Sequence, residues 1–137
     1  MGVNYQQTFI TVAQDCPVDR GTAPPHNPER PSVAAEQHRL ISTRAYRLTS
    51  EDVLFEVHAD RQDIAAADRA GARAAYFAVP RACLRASPLG KRYGWGIHCD
   101  EEGRLALYGV ESAEYAALIA DPAVSVIGAM RSSRAAR

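Results

Sequence analysis

The sequence predicts an α+β fold, in which a small, mainly antiparallel sheet of about four strands is covered by helices on one face. Three observations support this class. Strand-like segments stand near both ends of the chain, a hairpin pattern occupies residues 93–110, and helical patterns fill much of the interval. The 137 residues fit a single domain, 1–137, that is long enough to bury a hydrophobic core.

The first elements follow from local residue preferences. Residues 5–13 are rich in β-branched and aromatic side chains and are predicted as a strand. A Pro-rich loop follows at 17–31, because its prolines exclude regular structure. Ser32 is a suitable N-cap for a helix over 33–43, where apolar residues recur at helical spacing.

The segment 50–60 has two interpretations. Thr49 offers a cap, and the acidic residues after it suit the positive end of a helix dipole, which favours a helix. The alternation of Val53, Phe55 and Val57 also fits a strand. The sequence leaves this choice open.

The second half of the chain predicts a helix, a hairpin, a short helix and a last strand. An Ala-rich helix is expected over 64–78, and Tyr93–Cys99 should pair with Leu105–Val110. Ser112 is suited to cap the short helix. The last strand is expected over 124–130, before a frayed tail from 132.

Charge is distributed in blocks although the net charge is zero. Residues 69–99 contain six cations and no carboxylate, while 49–68 and 100–121 each contain six acids and one Arg. A polynucleotide-binding domain is usually basic as a whole, so no extended nucleic acid is expected as a partner. The basic block predicts a local site for a small anion.

Other partners and compartments are limited by composition. The sequence lacks a run of about 18 apolar residues, so no membrane partner is expected. The N-terminal residues do not resemble a signal peptide. Three unpatterned cysteines indicate a reducing compartment, and a cytoplasmic location is expected.

The candidate anion site lies in the turn after the Ala-rich helix and in the following strand. Turn amides, a hydroxyl and several cations can form a nest for a phosphate or a carboxylate. The alternative is that Arg85 and Arg92 pair with the flanking acids, for example Glu51, Asp52 or Glu111. The predicted ligand-binding residues are Arg85, Ser87, Lys91, Arg92, Trp95 and His98.

Glycines in the predicted strand suggest a groove. One face of the strand contains Tyr93, Trp95, Ile97 and Cys99, and it is most simply explained as part of the hydrophobic core. The other face has a strip without side chains at Gly94 and Gly96, and such glycines mark close approach by a ligand or by another part of the chain. The alternative to a ligand is packing of the Ala-rich helix into this strip.

Thiol or metal chemistry receives less support. Cys83 beside the basic block could form a thiolate, but its helical, apolar position suits a buried structural cysteine. His98 and Cys99 are adjacent, so they point to opposite faces of a strand and cannot share a zinc ion. No catalytic residue, metal or cofactor is predicted.

Distinctive motifs lie along most of the chain, at 8–13, 15–18, 52–55, 83–89 (CLRASPL), 91–98 (KRYGWGIH), 111–112, 114–115 and 129–134. Together they resemble a family of small bacterial proteins of unknown function. The resemblance runs from residue 4 to 134 and implies one domain, but it implies no activity, cofactor or catalytic residue.

The function predicted from the sequence is a non-catalytic module that binds a small anionic ligand, or an acidic peptide, at residues 85–98. One alternative is an enzyme that uses Cys83 or His98 beside the anion. Another is a homo-oligomeric interaction protein without a ligand, which associates through a strand edge or an aromatic face. The sequence does not specify which anion is bound.

Overall fold

A four-stranded sheet lies at the centre of the computed structural model, which describes residues 4–132. The strands are β1 (Thr8–Thr11), β2 (Trp95–Cys99), β3 (Leu105–Gly109) and β4 (Ser125–Gly128). They are adjacent in the order β3–β2–β1–β4. β2 is antiparallel to β1 and β3, while β4 runs parallel to β1. The α+β class, the mainly antiparallel sheet and the hairpin are therefore confirmed.

The register aligns apolar residues across three strands. Ile10 of β1 lies opposite Ile97 of β2 on one side and opposite Ile127 of β4 on the other. Residues directly opposite each other in neighbouring strands share a face of the sheet. The three isoleucines therefore form a row on the face that packs against most of the core.

Five helices accompany the sheet within the described residues. The helix predicted over 33–43 and the short helix after Ser112 are confirmed. The helix predicted over 64–78 is shorter, because a 3-10 turn at Ala66–Asp68 precedes it. The helices are α1 (Val33–Thr43), α2 (Ser50–Arg61), α3 (Arg69–Phe77), α4 (Pro88–Arg92) and α5 (Ala113–Ala120).

A capping box decides the conformation of residues 50–60. The Thr49 hydroxyl accepts a hydrogen bond from the Asp52 amide at 3.2 Å, and the Asp52 carboxylate accepts one from the Thr49 amide at 3.0 Å. These bonds satisfy two amides that a helix start leaves unpaired. The segment is therefore helix α2 and not a strand.

Helices cover both faces of the sheet, and the prediction of one covered face is wrong. α1, α2 and α4 supply residues to the core cluster that contains Ile10 and Ile97. On the opposite face, Tyr115 of α5 packs edge-on against Phe9 at a ring distance of 4.9 Å. Phe9 and Ile10 are consecutive and both fully buried, so β1 is covered on both sides.

The glycine strip of β2 is filled by other parts of the chain. A β-carbon at Gly96 would lie 2.7 Å from Cε2 of Tyr115 and would overlap the ring of Phe9. Gly94 has a φ of +76°, and a β-carbon there would lie 2.8 Å from the carbonyl carbon of Arg20. The predicted groove is therefore absent at these two positions, and the groups that replace it do not come from the Ala-rich helix.

The Pro-rich loop at 17–31 contains no helix or strand. Apart from residue 132, the tail that the sequence predicts to be frayed lies outside the described residues. Among residues 4–132, no helix combines the length and the apolar character needed to cross a bilayer.

Two glycine substitutions should change stability in opposite directions. Gly96→Ala should lower the free energy of unfolding by about 1–3 kcal/mol, because the methyl group overlaps two aromatic rings. A β-carbon at Gly71 in α3 would have no atom from another part of the chain within 4 Å, so Gly71→Ala should raise the free energy of unfolding by about 0.5–1 kcal/mol. Urea unfolding of both variants measures this difference. Equal stability of the two variants would contradict the close packing over Gly96.

Candidate functional site

Ser87 is a structural residue of the basic segment. It is 3 % exposed, and its hydroxyl accepts a hydrogen bond from the Leu89 amide at 3.1 Å, capping α4 ahead of Pro88 at the first helical position. The same hydroxyl donates to Oε1 of Gln37 in α1 at 2.6 Å. Both bonds are buried, so Ser87 joins α4 to α1 and has no free hydroxyl for a ligand.

Arg85 is bonded to the outer side of β4. It lies in a 3-10 turn, Leu84–Ala86, that precedes α4. Its Nε donates to the carbonyl of Gly128 at 2.7 Å, and its own carbonyl accepts from the amide of Met130 at 2.8 Å. These bonds satisfy a carbonyl and an amide at the end of an edge strand, and no neighbouring strand of the described part of the chain pairs with these two groups.

Trp95 fastens the Pro-rich loop to the sheet. Its Nε1 donates to the carbonyl of Thr22 at 2.8 Å, and its ring lies 5.2 Å from the ring of His38 in α1. Thr22 is also held by its amide, which donates to the carbonyl of Tyr93 at 2.8 Å. The indole therefore has a protein partner for its single donor.

His98 follows Ile97 in β2, so its side chain points to the face of the sheet opposite to that of Ile97 and Trp95. Its Nδ1 is 2.8 Å from the hydroxyl of Tyr46, which in turn is 2.8 Å from the hydroxyl of Tyr108. Its Nε2 is buried without a hydrogen-bond partner among the described residues. Burial lowers the pKa of His98, which disfavours a positive charge on its ring.

The six cations of residues 69–99 have different surroundings. Arg69 and Arg73 form ion pairs with carboxylates of α2 at about 3 Å, and the guanidinium of Arg81 lies 3.9 Å from the ring centre of Tyr76. Within residues 4–132, Lys91 and Arg92 take part in no ion pair and no side-chain hydrogen bond. They are adjacent at the C-terminal end of α4.

The flanking acids do not neutralise the cations that the sequence assigned to them. Glu51 and Asp52 face Arg73, at 4.0 and 3.0 Å. Glu111 accepts a hydrogen bond from the amide of Gly21 at 2.8 Å, which holds the pKa of its carboxyl below the ordinary value. The alternative pairing of Arg85 and Arg92 with these acids is therefore wrong for the described residues.

The six predicted binding residues thus occupy separate places. Ser87 is buried between α4 and α1, Arg85 is bound to β4, and Trp95 to the Pro-rich loop. His98 is on the other face of the sheet. Only Lys91 and Arg92, which adjoin on α4, keep cationic groups without a protein partner in the described part of the chain.

The thiols do not form a pair with His98. Cys99 is fully buried, and burial raises its pKa to about 12. The sulfur of Cys83 is 3.3 Å from the hydroxyl of Tyr5, which packs against the same core cluster as Cys99. His98 points to the other face of β2. A thiolate with His98 as its base therefore has no geometric support.

The structure contains a cavity that was not predicted from the sequence. A cavity of about 340 Å³ lies between the Pro-rich loop, α1 and the end of α2. The Arg61 side chain holds the loop to α2 by donating to the carbonyl of Pro31 at 2.6 Å. Among the described residues, no group of three or more His, Cys, Asp or Glu side chains could hold a metal ion. The lining residues are His26, Glu29, Pro31, Ala35, Glu36, Arg39, Asp60 and Asp63.

A model for a family of unknown function, DUF6157, matches residues 1–135 of the chain. The chain belongs to this family. No curated protein and no solved structure matches it. The DUF6157 match spans both the Ser87 region and the cavity. Because the family description names no activity, membership in DUF6157 favours no particular ligand.

The structural role of the buried Ser87 can be tested by the effect of its substitution on the stability of the protein. Ser87→Ala should lower the free energy of unfolding by about 1–3 kcal/mol, because it removes the cap of α4 and leaves buried Gln37 without its donor. Ser42→Ala is the matched control, since the exposed Ser42 hydroxyl bonds only to its own helix. It should change the free energy of unfolding by about 0.5 kcal/mol or less. Equal effects in chemical denaturation would contradict this role.

Proposed function

We propose that this protein is a cytoplasmic, non-catalytic module that binds a small anionic ligand through Lys91 and Arg92. The observation that carries the proposal is that these two adjacent cations have no ion-pair partner within residues 4–132. Arg69 and Arg73, in the same basic block, are already neutralised by carboxylates. An anion near α4 would therefore meet positive charge that the described protein groups leave available.

The position of α4 supports the proposal. The carbonyl of Gly90 accepts a hydrogen bond from the Ala13 amide at 2.9 Å, and Gly90 is buried close to the side chain of Ala129. Leu89 is fully buried. The two cations therefore extend from a helix whose base is fixed in the core, which lowers the entropic cost of holding a ligand.

The remaining predicted residues have positioning roles in this proposal. Arg85, Ser87 and Trp95 hold the turn, α4 and the Pro-rich loop in place through hydrogen bonds within the protein. His98, on the far face of β2, makes no contact with the anion in this proposal. The binding site is thus smaller than the segment 85–98.

Exposure limits the expected affinity. Contacts between exposed charges contribute about 0.2–1 kcal/mol each and weaken in salt, because water and ions screen them. Arg92 is exposed and Lys91 is half-buried. The proposal therefore predicts weak binding, strongest for an anion with more than one negative charge.

A phosphate titration followed by amide NMR tests the proposal. Inorganic phosphate should shift the amide signals of residues 88–93 at low salt. The double variant Lys91→Ala/Arg92→Ala should weaken this binding about fivefold or more while leaving the melting temperature nearly unchanged. Raising the salt concentration should weaken binding to the original protein.

Arg44→Ala/Arg47→Ala is the matched control for the phosphate titration. Both arginines are exposed, and neither forms an ion pair within residues 4–132. This variant should bind phosphate as the original protein does. Equal losses of phosphate affinity in both double variants would show nonspecific charge attraction. Unfolding of the Lys91/Arg92 variant would show a structural role for these two residues. Either result would overturn the proposal.

A second candidate function, self-association, is favoured by a different surface. β4 is an edge strand, and Val126 on it is 43 % exposed. Ile119 of α5 and Met130 are exposed to a similar degree, at 46 and 44 %. A second copy that paired with this edge would cover apolar side chains. Sizing at increasing concentration tests this candidate: a dimer that Val126→Lys disrupts would support it, and a monomer throughout would exclude it.

A further inference from the structure

The cavity beside the Pro-rich loop has a buried carboxyl group in its wall. Glu36 is 7 % exposed although it lies in the first turns of α1. Its Oε2 is buried and has no hydrogen-bond partner among the described residues. A buried carboxylate oxygen without a donor is unfavourable, so such a group commonly meets a ligand or a solvent molecule.

The nearest cation does not satisfy this oxygen. Nη1 of Arg61 lies 4.0 Å from the other oxygen, Oε1, which is longer than a hydrogen bond. The same nitrogen donates at 2.6 Å to the carbonyl of Pro31. Arg61 therefore holds the loop to α2, while Glu36 lies in the cavity wall with an acceptor that no described donor uses.

Other carboxylates of the cavity also keep acceptors available. Within residues 4–132, Glu29 and Asp63 line the cavity without an ion pair. Asp60 is shared between Arg69, at 3.0 Å, and Arg39, at 4.0 Å. With the adjoining depression that adds Arg30 and Arg61, the walls contain four carboxylates and three guanidinium groups.

We propose that this cavity binds a small organic cation through a primary ammonium group, with the carboxylate of Glu36 as its main acceptor. The N–H donors of an ammonium suit the carboxylate of Glu36, and Glu29 and Asp63 add negative charge to the lining of the same cavity. The volume of about 340 Å³ is at the lower end of the range for small-molecule sites. The site is distinct from Lys91 and Arg92 and does not depend on the anion proposal.

Two other ligand classes fit less well. An anion would place its charge against the unpartnered oxygen of Glu36 and beside Asp60, with repulsion from both. Among the described residues, the carboxylates do not form a group that could hold a metal ion. Burial and the negative charge of Asp60 raise the pKa of Glu36, as expected for a carboxyl that lacks a close cation.

Amide NMR with simple amines tests the site on the full chain. Ethylammonium and butane-1,4-diamine should each cause saturable shifts at residues 29–36 and 60–63, whereas acetate and ethanol should not. Glu36→Gln should weaken amine binding about tenfold or more, because it removes the charged acceptor and keeps the side-chain size. The melting temperature of this variant should be unchanged or higher, since a buried amide is less costly than a buried charge.

Glu114→Gln is the matched control, since Glu114 is exposed on α5 away from the cavity, and amine affinity should stay unchanged. If Glu36→Gln fails to fold, Asp63→Asn provides the test. Asp63 has a φ of +52°, which Asn tolerates, so only the charge changes. This variant should weaken amine binding at least about twofold.

Three results would overturn the proposal. The first is the lack of saturable shifts with either amine up to about 10 mM, a concentration that detects even millimolar affinity. The second is unchanged amine affinity in Glu36→Gln or, where that variant does not fold, in Asp63→Asn. The third is binding of acetate with the same shifts as the amines, which would indicate an anion site formed by the arginines of the walls.

Discussion

The arrangement of this protein depends on the close packing of Phe9 and Tyr115 over Gly96. Because glycine leaves no side chain there, the two aromatic rings can cover the second face of the sheet, and β1 becomes buried on both sides. The sheet then offers no open groove at Gly94 or Gly96. The two binding surfaces that we propose lie outside it, at the end of α4 and between the Pro-rich loop and the first two helices.

Elements with local signals were predictable, whereas elements decided by distant contacts were not. The cap at Ser112 and the alternating pattern of the hairpin are contained in a few adjacent residues, and both regions form as the sequence predicts. The capping box at Thr49 is also local, but the alternation of Val53, Phe55 and Val57 left a strand open for the same segment. The parallel pairing of β4 with β1 has no such local signal, because strand periodicity does not specify the partner strand. α4 was missed, although Ser87 followed by Pro88 is a typical helix start.

The same distinction applies to the candidate sites. Composition located the basic segment, but it does not show which group each cation meets. Arg85 is bonded to Gly128, which lies 43 positions away in the sequence. Glu36 precedes the buried Gln37 and lies one helical turn before the buried Leu40, so it borders the apolar face of α1. Glu36 lines the cavity together with the loop that Arg61 holds to α2, and the sequence alone does not predict that contact.

The segment 85–98 mainly holds the fold together, and we propose that Lys91 and Arg92 are the part of it that meets a ligand. A crystal structure of the protein soaked in phosphate tests both parts of this claim in one measurement. We expect phosphate density beside Lys91 and Arg92, with Nε of Arg85 still bonded to Gly128 and the Ser87 hydroxyl still bonded to Gln37. Phosphate bound instead by a released Arg85, or at His98, would contradict it.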